Sequence, residues 1–207
     1  MKEKILQHAS EMFLTYGFKS VTMDDIANGI GISKKTIYQH FDNKTKLVEA
    51  TTNYIMDNIS CGIDQICEMD KNPIEEIFEI KKFVANNLKD EKSSPAHQLQ
   101  KYYPKIFKTI KEKQFEKMKE CVIHNLNRGL EKQLYRDSIQ VEFISRLYFN
   151  NMMALKDNDL YPQTQFSIKF LMENYLEYHL RGICTPKGLE TLNQILINNK
   201  SEEEKIS

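Results

Sequence analysis

The sequence predicts an all-α protein, and three observations carry that prediction. Apolar residues recur at helical rather than alternating spacing along nearly the whole chain. Only seven glycines and five prolines interrupt 207 residues. No segment alternates apolar and polar residues over the length of a strand. Start and stop signals divide the chain into about nine to ten helices.

The first helix is expected from Lys2 to Tyr16, with Ile5, Ala9, Met12, Phe13 and Tyr16 on one face and Gly17 ending it. A short second helix begins after Thr22, whose hydroxyl can cap it while Asp25 reaches back to complete a capping box. Gly31 permits a tight turn, Ser33 can cap a third helix, and Ile37 with Phe41 forms its apolar stripe. A long helix runs from Lys44 toward Cys67. Pro73 opens the next, which the polar stretch 90–94 ends. Pro95 and Pro104 bracket a short helix, and Pro104 opens a long one reaching Asn127, with Gly129 starting the connection. Two further helices are expected at 138–156 and 162–181, and Pro186 opens a terminal one that fades into the acidic stretch 201–207, expected to be disordered.

Composition sets limits on function. Hydrophobic residues at 41% and charged residues at 28% describe a globular chain, and no apolar run reaches the roughly 18 residues of a membrane helix. The opening MKEKILQHASEMF has no signal-peptide core, so a cytoplasmic location without membrane attachment is expected. Cys61, Cys67, Cys121 and Cys184 lack the paired short spacings of zinc or redox motifs and read as buried reduced thiols; no metal or cofactor is expected. The five histidines form no HExxH pair, and no GxSxG or phosphate-binding glycine loop is present, so no enzyme is expected. Net charge is zero, so any nucleic-acid reading must rest on local pattern.

That pattern lies in the first fifty residues. Three short helices with a glycine-containing turn between the second and third are the arrangement of a helix-turn-helix. If Ile37 and Phe41 face inward, Lys34, Lys35, Thr36, Tyr38, Gln39 and His40 are left outward or sideways, a set of donors suited to phosphates and base edges.

The run TMDDIANGIGISKKTIYQHFDNKTKLVEA resembles the DNA-binding signature of the tetracycline-repressor (TetR) family. The matching positions are Thr22, Ile26, Ala27, Gly31, Ile32, Ser33, Thr36, Ile37, Tyr38, Phe41, Lys44 and Leu47. The similarity covers residues 2–50. The resemblance implies a regulator that binds double-stranded DNA as a homodimer and responds to a small apolar effector. It implies phosphate contacts from Thr22, Thr36, Tyr38 and Lys44, with Lys34, Lys35, Gln39 and His40 in or beside the major groove. Tyr38 packed half-buried on the first helix, and His40 as a plain surface histidine, are the alternatives for those two.

Three departures stand out. Gly29 occupies a helical position at a cost of up to about 1 kcal/mol relative to alanine. Ile30 replaces the small residue common before the turn. The first arginine in the chain is Arg128, so lysine must serve where arginine would grip guanine. Residues 1–50 hold seven lysines against six acidic residues, a weak and local field.

The resemblance divides the chain into a reading domain at 1–48, a helical effector-binding and dimerisation domain at 49–200, and a tail at 201–207. The two helices at 138–156 and 162–181 are apolar on two sides, and a helix apolar on two sides must be buried on two sides. Phe143, Leu147, Ile168, Leu171, Met172 and Tyr175 are therefore candidates for an isologous dimer interface, the alternative being one thick monomeric core. Phe78, Phe83, Tyr103, Phe107, Phe115, Met118, Tyr148 and Met152 suit the wall of a pocket for an apolar ligand, and equally an ordinary core. A protein-binding helical adaptor is the rival for the whole chain; it would have no reason to keep the face from Lys34 to His40 free of acidic residues.

Overall fold

The structure, a computed structural model, describes residues 1–88, 95–162 and 164–206, with side chains only as far as residue 199. Residues 90–94, expected to end the fifth helix, lie outside the described residues. Ten helices are present among the described residues: α1 (Lys2–Tyr16), α2 (Met23–Ile30), α3 (Lys34–Tyr38), α4 (Lys44–Glu68), α5 (Pro73–Leu88), α6 (Pro95–Tyr102), α7 (Pro104–Glu131), α8 (Val141–Ala154), α9 (Ile168–Ile183) and α10 (Pro186–Ile206). The all-α expectation holds. Extended pairing among the described residues is a single bridge between Tyr135 and Cys184. No described helix is long and apolar enough to cross a membrane. The backbone of the expected acidic tail continues α10 to Ile206, while its side chains lie outside the described residues.

The chain forms two compact units, each discontinuous in sequence. The first takes Met1–Asp64 and Phe83–Gln114. Its core is built from Ile5, Ala9 and Phe13 of α1, Ile26 and Ala27 of α2, Ile37 of α3 and Leu47 and Val48 of α4. Leu99 of α6 is buried in the same core, and Tyr103, Ile106 and Phe107 pack against it. α6 and the start of α7 thus belong to the body of the three-helix head.

The second unit takes Gln65–Lys82 and Phe115–Ser207. Ile74, Leu126, Tyr135, Leu176, Leu180 and Leu192 are buried at its centre. Three corrections to the helix boundaries arise here, one being that α8 spans Val141–Ala154 rather than 138–156, with Gln140 as its N-cap. α7 runs past Gly129 to Glu131, because this glycine does not break the helix but admits the ring of Tyr135; a Cβ there would lie 2.0 Å from Tyr135 Cδ2. α9 starts at Ile168 rather than near Pro162, because Ser167 is its cap and accepts from the Phe170 amide at 3.2 Å.

A buried polar cluster joins α5 to α7 within this unit. Glu76 is fully buried; its carboxylate accepts from the Arg128 guanidinium and, at 2.8 Å, from Asn125 Nδ2. Arg128 also donates to Asp70 Oδ1 at 2.6 Å and to the Lys71 carbonyl, and Tyr135 Oη donates to Asn125 Oδ1 at 3.0 Å.

His179 sits in a ring cluster with Tyr148 and Tyr175, at centroid separations of 5.0 and 5.8 Å. Burial pushes its imidazole down to about 4 from the ordinary 6.5. Folding therefore favours the neutral ring, so the associated stability is fully present above the unfolded value and is lost as pH falls toward the folded one. The expected loss between pH 6.5 and 4 is on the order of 3 kcal/mol. Thermal melts across that window should show the fall in wild type and a flatter profile in His179→Phe; equal slopes in both would refute the assignment.

Of the cysteines expected to be buried, Cys184 is, and its thiol is raised to about 11 by burial. Cys67 and Cys121 are partly buried, and Cys61 is exposed. Among the described residues, no group of three or more His, Cys, Asp or Glu side chains could hold a metal ion.

Candidate nucleic-acid interface

The presentation of α3 follows from what its neighbours bury. Ile37 and Phe41 are in the core, fixing the helix about its axis, and Lys34, Lys35, Tyr38, Gln39 and His40 are consequently exposed, with Thr36 partly so. Tyr38 is 43% exposed, which leaves much of its surface open to solvent.

Local capping sets the two helix starts. Thr22 Oγ1 accepts from the Asp25 amide at 3.1 Å, and Asp25 Oδ2 accepts from the Thr22 amide at 2.8 Å, completing the expected capping box. The Thr22 hydroxyl holds the Asp25 carboxyl below its ordinary value, with the Thr22 amide adding to this. Gly31 takes a left-handed conformation, φ 69°, and its amide closes α2 on the carbonyls of Ala27 and Asn28. Ser33 then accepts from the Thr36 amide at 3.1 Å and exchanges a hydroxyl hydrogen bond with Thr36 at 2.9 Å.

Gly29 has a packing explanation that the sequence hides. A Cβ at this position would lie 2.1 Å from Nε2 of His8, so the imidazole of α1 occupies the space a side chain would need. That Nε2 is buried with no hydrogen-bond partner in the protein.

Two of the lysines among the expected DNA contacts also have partners in the free protein. Lys34 Nζ donates to Asp24 Oδ2 at 2.7 Å, an exposed pair that raises the lysine and that solvent and salt readily compete with. Lys44 Nζ donates to the Lys19 carbonyl at 3.1 Å, tying the start of α4 to the turn between α1 and α2. Partial burial lowers the Lys44 ammonium and the charge of Asp25 opposes that shift. Neither partner could be found from sequence, because a pairing ten or twenty-five residues away depends on how the helices turn. Sequence reasoning also passed over a concave surface of about 340 Å³ beside α3, to which Lys2, His40, Asp42 and Lys46 contribute.

The remaining candidates separate between the units. Phe83, Tyr103 and Phe107 belong to the first, where Tyr103 and Phe107 pack on the head. Phe78, Phe115, Met118, Tyr148 and Met152 belong to the second, all partly buried. Phe115 meets Phe149 edge-on at 4.9 Å, and Phe78 and Tyr148 pack on the second core. Phe143 and Leu147 of α8 are exposed. Ile168 and Met172 are intermediate, Leu171 is buried within its own unit, and Tyr175 packs on Tyr148 and His179.

The model of bacterial regulatory proteins of the tetR family matches residues 5–51. The chain is similar to the HTH-type transcriptional activator FasR of Mycolicibacterium smegmatis, 39% identical over 62 residues that cover 30% of this chain and 28% of that protein. It is also similar to IcaR of Staphylococcus epidermidis, the negative transcriptional regulator of the biofilm operon icaADBC. These two are 38% identical over 61 residues, covering 28% of this chain and 33% of IcaR. The matches thus span about a third or less of the length of these curated relatives. The fold is similar to that of a TetR-family regulator from Agrobacterium tumefaciens, with a TM-score of 0.70 at 16% identity, covering 89% of this chain and 97% of that one. Residues 5–51 thus match the DNA-binding head of the tetR family of bacterial regulatory proteins, set within a ten-helix fold similar to that of the solved regulator.

Proposed function

We propose that the chain is a sequence-specific DNA-binding repressor that reads a near-palindromic operator as a homodimer and responds to a small apolar effector. The observation that carries the reading is the exposed face from Lys34 to His40, rich in donors and without an acidic residue, held rigid by the core below it. An enzyme or a protein-binding adaptor would leave that pattern unexplained. Repression is the simpler sign: occupying an operator blocks it, whereas activation needs a further surface for the transcription machinery. IcaR, named a negative regulator, is consistent with it. A reading domain at 1–48, an effector and dimerisation domain at 49–200 and a tail at 201–207 describe roles rather than compact units. For the effector, Phe78, Phe115, Met118, Tyr148 and Met152 are the apolar set gathered in one unit.

Base and phosphate contacts can be told apart. Gln39 ends α3 with its amide exposed and able to match the N6 and N7 edge of adenine. Gln39→Ala should relax preference at one base position per half-site, costing about 1 to 3 kcal/mol there. Lys44 lies outside the recognition helix, so Lys44→Ala should weaken all sequences alike and lower the salt slope by about one unit. Affinities for a panel of operator variants over a salt series decide the matter; the same uniform loss from both substitutions, or no effect from either, would overturn the reading.

A further inference from the structure

We propose that α6 carries a second DNA-backbone contact, in which Lys101, Lys19 and the ring of Tyr102 form a cationic patch for phosphates flanking each half-site. It rests on the DNA-binding reading and lies partly outside residues 5–51. Lys19 Nζ stands 5.0 Å from the centroid of the Tyr102 ring and Lys101 Nζ 5.6 Å from the same centroid. All three residues are exposed, Tyr102 by 39%. Cation–π attraction to one ring gathers two like charges, and among the described residues neither ammonium has a carboxylate within ion-pair distance. Three other exposed lysines of this unit have carboxylate partners instead: Lys34 pairs with Asp24, Lys46 with Glu49 and Lys108 with Glu112. Two exposed ammoniums held at one ring, with no carboxylate beside them, draw an anion to that ring, and the Tyr102 hydroxyl can donate to it.

The occupant follows from where the patch sits. The Lys19 amide donates to Gln98 Oε1 of α6 at 3.1 Å, and the Lys19 carbonyl accepts from Lys44 Nζ at 3.1 Å. The backbone of Lys19 therefore joins α6 to Lys44, and Thr22 follows three residues later at the cap of α2. A polyanion lying along Thr22 and Lys44 presents its next phosphates toward Lys19 and Lys101. A DNA backbone has that continuity and a regular charge spacing.

The test uses the full-length chain and a long mixed-sequence duplex, with affinity measured over a salt series. Lys101→Ala should lower the salt slope by about one unit, and Lys19→Ala with Lys101→Ala by about two. Lys101→Arg should keep the wild-type slope. On an operator duplex trimmed to its half-sites, wild type and Lys101→Ala should converge, since the flanking phosphates are gone. A wild-type slope for Lys101→Ala alongside a lowered slope for Lys44→Ala would overturn the patch and leave the DNA reading intact. A Lys101→Arg slope as low as that of Lys101→Ala would equally overturn it. Absence of salt-dependent binding by wild type would defeat the DNA reading, and the patch with it.

Discussion

Arg128→Ala is expected to destabilise the second unit by about 3 to 5 kcal/mol, the cost of leaving a buried carboxylate without its cation. Glu76 is fully enclosed, and the Arg128 side chain, 11% exposed, is its ionic partner. Removing the guanidinium also releases the Lys71 carbonyl and the exposed Asp70, which it ties to the end of α7. The loss should be visible as a lowered urea midpoint. Replacing both charges, Glu76→Leu with Arg128→Met, should recover most of it, because the pair's attraction is largely spent on its own desolvation. A single-substitution cost below about 1 kcal/mol would mean that Glu76 reaches water or another partner.

Phe170→Glu is expected to turn the protein into a folded monomer with its affinity for a full operator reduced about 100-fold or more, since each half-site must then be held independently. Phe170 is 50% exposed and its ring stacks on Phe166, 36% exposed, at 6.1 Å. Tyr178 of α9 is 77% exposed, and Phe143 and Leu147 of α8 are 61% and 39% exposed. So many large apolar side chains left exposed on and beside α8 and α9 favour burial against a second copy. Sedimentation at micromolar concentration reads the assembly and circular dichroism the fold; a monomeric wild type, or a dimeric Phe170→Glu, would count against this face. Leu171→Glu is the wrong probe, because Leu171 is 8% exposed within its own chain and its loss would report folding instead.

What the sequence revealed was governed by local chemistry. Gly17 ends α1, Thr22 and Gly31 bound α2, and Ser33 starts α3, because each acts on amides or carbonyls within a few residues; α3 itself stops at Tyr38, before Phe41. Where two local signals compete, sequence alone does not choose between them: Pro162 can open a helix, but the hydroxyl of Ser167 is what caps α9. Gly29 and Gly129 looked like weak or terminating residues because their partners, His8 and Tyr135, become neighbours only on folding. The same limit hid Glu76 and Arg128, which are 52 residues apart. It also hid that Tyr103 and Phe107 pack on the head while Phe115 and Met118, on the same helix, fall in the other unit. On α9, periodicity could find two apolar sides but not which one faces solvent; Phe170 does and Leu171 does not. For the reading face no such ambiguity arose, since burying Ile37 and Phe41 leaves its donors only one side to occupy.

Selection of bound duplexes from a random pool, at a fixed salt concentration, tests the central claim most directly. The account predicts enrichment of one near-palindromic sequence whose half-sites are centred one helical turn or a multiple of it apart, as two heads related by a dyad require. Enrichment of no sequence above the starting pool, with any retained DNA held equally whatever its sequence, would contradict it.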